Sequence, residues 1–139
     1  MNKNIQEIEN EIVEEFDLFD DPMDKYEYLI DLGKKLAPLD LKFHTDDFLV
    51  KGCQSKVWLH AYEKDGSLFF EADSNTAITK GIIALLVRVL SEQKPKDIVE
   101  CKLEFIDKIN LRSHLSSQRS NGLSSMVVKM KAYAKMFLK

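Results

Sequence analysis

Among the side chains able to do covalent chemistry, Cys53 is the one placed to meet another molecule. It stands in Val50-Lys51-Gly52-Cys53-Gln54-Ser55-Lys56-Val57-Trp58-Leu59, just ahead of a run of strand-forming residues. The thiolate is the reactive form of cysteine, and a neighbouring glycine lets another molecule's atoms approach with little obstruction. Gln54 and Ser55 carry polar groups that can hydrogen-bond the loop or a sulfur anion, and both are equally ordinary in a turn. On residue types alone, a thiol that attacks sulfur and a plain, lightly shielded cysteine stand level.

The other reactive groups narrow the chemistry. The second cysteine, Cys101, lies in Ile98-Val99-Glu100-Cys101-Lys102-Leu103, where structural burial is the expected role; a resolving disulfide with Cys53 stays open. A tetrahedral metal site needs several Cys or His ligands, commonly in paired spacing, and Cys53 has no second cysteine near it, so no metal is expected. A Cys–His hydrolase needs a base oriented by a third group, and His44, His60 and His114 form no recognisable arrangement of that kind.

These groups must be held by elements that the sequence marks out. Ile8, Ile12, Phe16 and Phe19 recur at helical spacing from Ile5 onward. Nine acidic residues between Met1 and Asp24 face one base, Lys3, giving a solvated face or a docking surface for a basic partner. Asp20-Asp21-Pro22 starts a second helix that runs to about Leu36 and stops near Pro38. The stretch from Asp40 to Asp47 reads as connection. Phe48-Leu49-Val50 is expected to form a first strand, followed by the cysteine loop over Lys51 to Ser55. Val57 to Tyr62 and Leu68 to Ala72 form the other two strands, joined by the hairpin signal Lys64-Asp65-Gly66-Ser67. Asp73-Ser74-Asn75-Thr76 offers caps for a buried helix over Ala77 to Leu90, in which Gly81 suggests close backbone approach to the sheet. Lys94-Pro95 opens a short element through about Val99, further helix surrounds Phe105 to Asn110, and a long terminal helix begins near Ser116. The sum is an α+β domain: a small three-stranded antiparallel sheet packed with helices on both sequence sides.

Composition fits one domain over residues 1–139, with a mass of 16.1 kDa and 45% hydrophobic residues. A formal charge of −3 and a pI of about 5.6 remove the attraction on which most nucleic-acid binders depend. Neither a secretory signal nor a transit peptide is visible, and the longest apolar run, Gly81 to Val87, is too short to cross a bilayer. A soluble, cytoplasmic protein without nucleic-acid or membrane partners is expected.

The stretch from Val50 to Leu59 resembles the signature of the SufE family, the sulfur acceptors of iron–sulfur cluster assembly. Asp73-Ser74, Ala77-Ile78 and Lys80-Gly81 are similar to that family's second block, and Pro95-Lys96-Asp97-Ile98 to its Pro-x-Asp-Ile element. His114-Leu115, Arg119-Ser120-Asn121-Gly122-Leu123 and Met126 resemble the start of its last helix. The likeness runs in order from about Asp20 to Ala134. Three departures stand out: Ser116-Ser117-Gln118 where the family commonly shows Thr-Pro-Ser, Asn75 where relatives carry Asp, and Lys56 in place of Gln. None touches Cys53.

The resemblance implies a SufE/IscU-like fold and a carrier that takes persulfide sulfur onto Cys53 from a pyridoxal-phosphate-dependent, SufS-type cysteine desulfurase. It implies that the protein stimulates that enzyme and hands the sulfur to a scaffold such as the SufBCD complex, without independent turnover or a cofactor of its own. In the family the resting cysteine loop lies over an apolar cavity. Gly52, Gln54, Ser55, Asp73 and Arg119 are the loop-supporting or partner-binding candidates. A guanidinium at Arg119 could meet partner carboxylates, steady a sulfur anion or form a structural ion pair. A CsdE-type acceptor serving another desulfurase and an adaptor that carries no sulfur are the alternatives, as a monomer or a homodimer.

Overall fold

The computed structural model describes residues 3–53, 55–110 and 117–138, with side chains from 120 onward in the last stretch. Helix α1 (Ile5–Asp17) starts where Asn4 accepts the Glu7 N–H, at 2.8 Å, and buries Ile5, Ile12 and Phe16. Helix α2 (Pro22–Lys34) starts at Asp21, whose side chain accepts the Met23 N–H, with proline in the first turn where no hydrogen bond is lost. The acidic α1 is not simply a solvated face. Glu15 holds Arg88 and Tyr28, Glu11 pairs with Lys3, and Glu9 is buried, because its spacing from Ile5 and Ile12 puts it on the inward stripe.

The region from Asp40 to Asp47 carries more structure than a connection. It forms 3-10 turns at Leu41–Phe43 and Asp46–Phe48, the first capped by Asp40. Strands β1 (Val57–Lys64) and β2 (Ser67–Ser74) then pair antiparallel from Val57↔Ser74 to Lys64↔Ser67. Asp65 and Gly66, at φ +53° and +82°, supply the two left-handed positions that a two-residue hairpin of right-handed twist requires.

Among the described residues the sheet has two strands, not three. The second 3-10 turn absorbs Phe48, which leaves Leu49 and Val50 to make one bridge, Leu49↔Trp58, with the Val50 N–H on Val57 O at 2.8 Å. A similar bridge, Leu68↔Gln93, closes the other edge. The inner face presents Val57, Leu59, Leu68, Phe70 and Ala72 to the core. On the outer face the 3-10 turns lay Phe43 flat on His60, with ring centres 3.8 Å apart.

Helix α3 (Ala77–Leu90) is buried over most of its length and forms the centre of the molecule. Gly81 does serve a close backbone approach, but to α2 rather than to the sheet. A Cβ there would fall 2.3 Å from Leu29 O, and one on Gly33 would fall 2.7 Å from Gly81 N. Two glycines facing each other let the helix axes approach more closely than side chains permit. Short helices α4 (Pro95–Glu100) and α5 (Phe105–Lys108) lead to α6 (Ser117–Met136), whose stripe of Leu123, Met126, Met130 and Ala134 seals the core. Tyr133 donates to Leu59 O at 3.1 Å and ties α6 to β1. No helix among the described residues is long and apolar enough to cross a membrane.

Candidate functional site

The loop that carries Cys53 is short because both its ends are fixed. On the incoming side Val50 is bonded to Val57. On the outgoing side Lys56 and Asn75 bond reciprocally: the Lys56 N–H donates to Asn75 Oδ1 at 3.0 Å, and the Asn75 N–H to Lys56 O at 3.2 Å. Ser74 Oγ also donates to Lys56 O, at 2.9 Å. Asn75, one of the departures from the family pattern, thus works through an amide oxygen that needs no negative charge. Ser55 is anchored as well, accepting hydrogen bonds from the Thr76 and Thr79 hydroxyls at 3.0 and 3.4 Å.

Between these anchors the chain folds back onto α6. Gly52 adopts φ +91°, a conformation that disfavours an L side chain, and lies so close to α6 that a Cβ on it would meet Ser125 Oγ at 2.4 Å. The Cys53 thiol is half-buried and donates weakly to Gly122 O at 3.5 Å. The sulfur lies directly against Gly122: a methyl group there would sit 3.4 Å from it, in ordinary van der Waals contact. Burial pushes the Cys53 thiol above its ordinary pKa, because withdrawal from water disfavours the anion. Cys53 also packs against the apolar core cluster. A cleft of about 620 Å³ opens beside the loop, between Leu49, Val50 and Lys51 on one side and Ser125, Val128 and Lys129 on the other.

The candidate residues do not all converge. Gly52, Cys53 and Ser55 lie in the loop itself. Asp73 lies on the outer face of the sheet opposite Trp58, where its carboxylate takes His44 Nε2 at 2.8 Å, Lys80 Nζ at 3.4 Å and the Ser74 N–H at 2.8 Å. Burial raises its pKa, but these contacts outweigh that and hold it below the usual carboxylate value. Gln54 and His114 lie outside the described residues. Arg119 is in the first turn of α6, one helical turn before Gly122, and its side chain lies outside the described residues.

Both ring nitrogens of His44 are engaged, by Asp40 O and Asp73, and His60 Nδ1 faces Glu71 at 3.0 Å. Among the described residues no group of three or more His, Cys, Asp or Glu side chains is arranged to hold a metal. Cys101 is a free, half-buried thiol that donates to Ile98 O at 3.0 Å. Lys131 binds its carbonyl, nine residues along α6 from the Gly122 that holds Cys53. Both thiols are free, and each donates to a backbone carbonyl rather than to the other sulfur. Gly122 and Ser125, the seat of the loop, were not singled out from sequence as site residues; the available signal was a glycine inside an otherwise regular helix.

The residues that form this seat fall inside a family match. Residues 10–134 match the SufE family model, described as an Fe–S metabolism associated domain. The chain is 33% identical over 140 residues to a cysteine desulfuration protein SufE of Wigglesworthia glossinidia brevipalpis, covering 99% of this chain and 96% of that one. An uncharacterized SufE-like protein of Rhizobium meliloti is 35% identical over 130 residues, covering 90% and 93%. A chloroplastic/mitochondrial SufE-like protein 1 of Arabidopsis thaliana is 39% identical over 125 residues, which are 89% of this chain and 34% of that longer protein. The solution structure of a hypothetical protein from Thermus thermophilus superposes with a TM-score of 0.77 over 93% of this chain and 94% of that one, at 18% identity. The chain belongs to the SufE family. Its two-stranded α+β fold is the fold of that structural neighbour, and the family places it in iron–sulfur metabolism.

Proposed function

We propose that Cys53 accepts sulfur from the persulfide of a cysteine desulfurase, stimulates that enzyme by clearing its product, and passes the sulfur to an iron–sulfur scaffold such as a SufBCD complex. The observation that carries this reading is a lone thiol on a five-residue loop pinned at both ends and seated on Gly122. In the transfer, the Cys53 thiolate attacks the outer sulfur of the donor's R–S–S–H. The donor's S–S bond breaks, its thiolate leaves, and Cys53 becomes Cys–S–S–H; no net oxidant or reductant is consumed. The rate follows the thiolate fraction and the access of the attacking sulfur.

The seated loop suppresses both. Burial raises the thiol's pKa, and the Gly122 carbonyl accepts the S–H but repels an anion. Shielding protects a persulfide that is readily reduced or oxidised, and a docked donor releases it. The cleft between Lys51 and Val128 is the approach beside the loop. The partner is a SufS-type desulfurase or, for a CsdE-type acceptor, a different one. Cys53→Ser separates carrier from adaptor: the variant should bind the desulfurase and fail to stimulate its cysteine turnover. Full stimulation by Cys53→Ser would make the protein an adaptor.

A further inference from the structure

Helix α1 and the connection from α4 to α5 enclose a cleft of about 460 Å³, and none of its lining residues belongs to the Cys53 loop. That volume lies in the range of about 300–1,000 Å³ usual for ligand pockets. Glu9 lines it and is only 5% exposed. Its carboxylate accepts the N–H of Phe105, the first residue of α5, while Oε1 has no hydrogen-bond partner. Leaving a buried carboxylate oxygen unpaired is costly, because its lost hydration is not replaced. An apolar residue at this position would simply continue the stripe of Ile5, Ile12 and Phe16.

The rest of the wall adds negative charge. Asp97, Glu100 and Glu104 line the cleft against a single base, Lys102. Lys108 on α5 also acts on Glu9, and Lys131 on α6 is bonded to the carbonyl of Cys101, another lining residue. Leu103, buried in the same wall, is held at φ +53°, a left-handed conformation that disfavours an L side chain. Burial pushes the Glu9 carboxyl above its ordinary pKa, and the Phe105 N–H only partly offsets this. An unpaired buried acceptor at the wall of an acidic cleft is completed by a cationic donor.

We propose that this cleft binds a guanidinium group, with Glu9 Oε1 as the inner acceptor and Glu100 and Glu104 as outer ones. A guanidinium suits the site better than an ammonium because it is more weakly hydrated and less costly to withdraw from water. Oε1 is closed to solvent, so a change of Glu9 rotamer turns it toward the ligand. The site is independent of the role given to Cys53. The guanidinium belongs either to an arginine of a protein partner or to a free small molecule, and the experiment separates these sources.

The test is a titration of the isotope-labelled protein, followed by amide chemical shifts, with Nα-acetyl-arginine-amide and its neutral isostere Nα-acetyl-citrulline-amide. The arginine probe should give saturable shifts centred on residues 4–9 and 97–105, and the citrulline probe none. Glu9→Gln, which keeps an acceptor for Phe105, should weaken binding at least about tenfold, which is about 1.4 kcal/mol. Should that variant unfold, the exposed pair Glu100→Gln and Glu104→Gln together should weaken it by about the same factor. Tighter binding of Gly-Gly-Arg-Gly-Gly than of the single-residue probe assigns the site to a polypeptide; equal binding assigns it to a small molecule. Shifts that never saturate, that spread evenly over the acidic residues of α1 and α2, or that survive Glu9→Gln in the folded protein would overturn the proposal.

Discussion

Replacing Gly52 by alanine should release the cysteine loop from α6 without unfolding the domain. The seated loop holds Gly52 at φ +91°, and placing an L side chain in left-handed backbone costs about 1–2 kcal/mol. The added methyl would also fall 2.4 Å from Ser125 Oγ, but a serine side chain can rotate away, so the backbone term dominates. Once the loop leaves α6 the substituted residue returns to negative φ, so the cost falls on the seated state alone. A shift of about 1–2 kcal/mol changes the seated-to-released ratio by a factor of about 5–30. The assay is the rate of Cys53 alkylation by iodoacetamide at fixed pH, read by intact-protein mass in a Cys101→Ala background without partner. That rate should rise by about 5–30-fold, and adding Ser125→Ala should reverse little of it. An unchanged or slower rate, in a protein whose urea midpoint shows it folded, would refute the claim that seating on α6 shields the thiol.

Two further substitutions test the frame that holds the loop. Gly81→Ala gains about 1 kcal/mol of helix propensity, but its Cβ would meet the Leu29 carbonyl at 2.3 Å. Forcing α2 and α3 apart costs more than the gain, with overpacking typically about 1–3 kcal/mol, so the urea midpoint should fall; a rise would contradict the close crossing. Hydrogen bonds from Arg88 hold the Glu15 carboxyl at about 2, against an ordinary 4.5, with Tyr28 contributing. A depressed folded-state pKa means that this stabilisation is present above the ordinary value and lost as pH falls through the folded one. Glu15→Gln should therefore be less stable than the wild type at neutral pH, with the two stability curves converging as pH falls from about 4.5 toward 2. A gap that stays constant over that interval would show that Glu15 is not held this way.

How much of this was legible in the sequence depended on how local each determinant was. The hairpin could be read because Asp65-Gly66 carries its own conformational preference, and α3 because its apolar run leaves few other places for it. The supposed third strand failed on length. Asp46 and Asp47 favour a turn, and once that turn absorbs Phe48 only two extended residues remain beside β1. Gly81 was recognisable as a close-approach glycine, but the partner, Gly33 on α2, depends on how two helices cross. The acidic run in α1 hid a buried carboxylate, because charge counting ignores the helical phase that places Glu9 with Ile5 and Ile12. At the site, Cys53 and Gly52 were visible as neighbours in the loop ahead of β1. Their seat on Gly122 and Ser125 was not, since those residues are some 70 positions further along the chain.

The most direct measurement follows the sulfur itself. The protein is incubated with a cysteine desulfurase and cysteine labelled in its sulfur, then digested under non-reducing conditions and mapped by mass spectrometry. The account predicts one labelled sulfur atom on the peptide containing Cys53, none on that containing Cys101, and no transfer to Cys53→Ser. Label that appears at Cys101, or that never reaches Cys53 while the enzyme turns over, would contradict it.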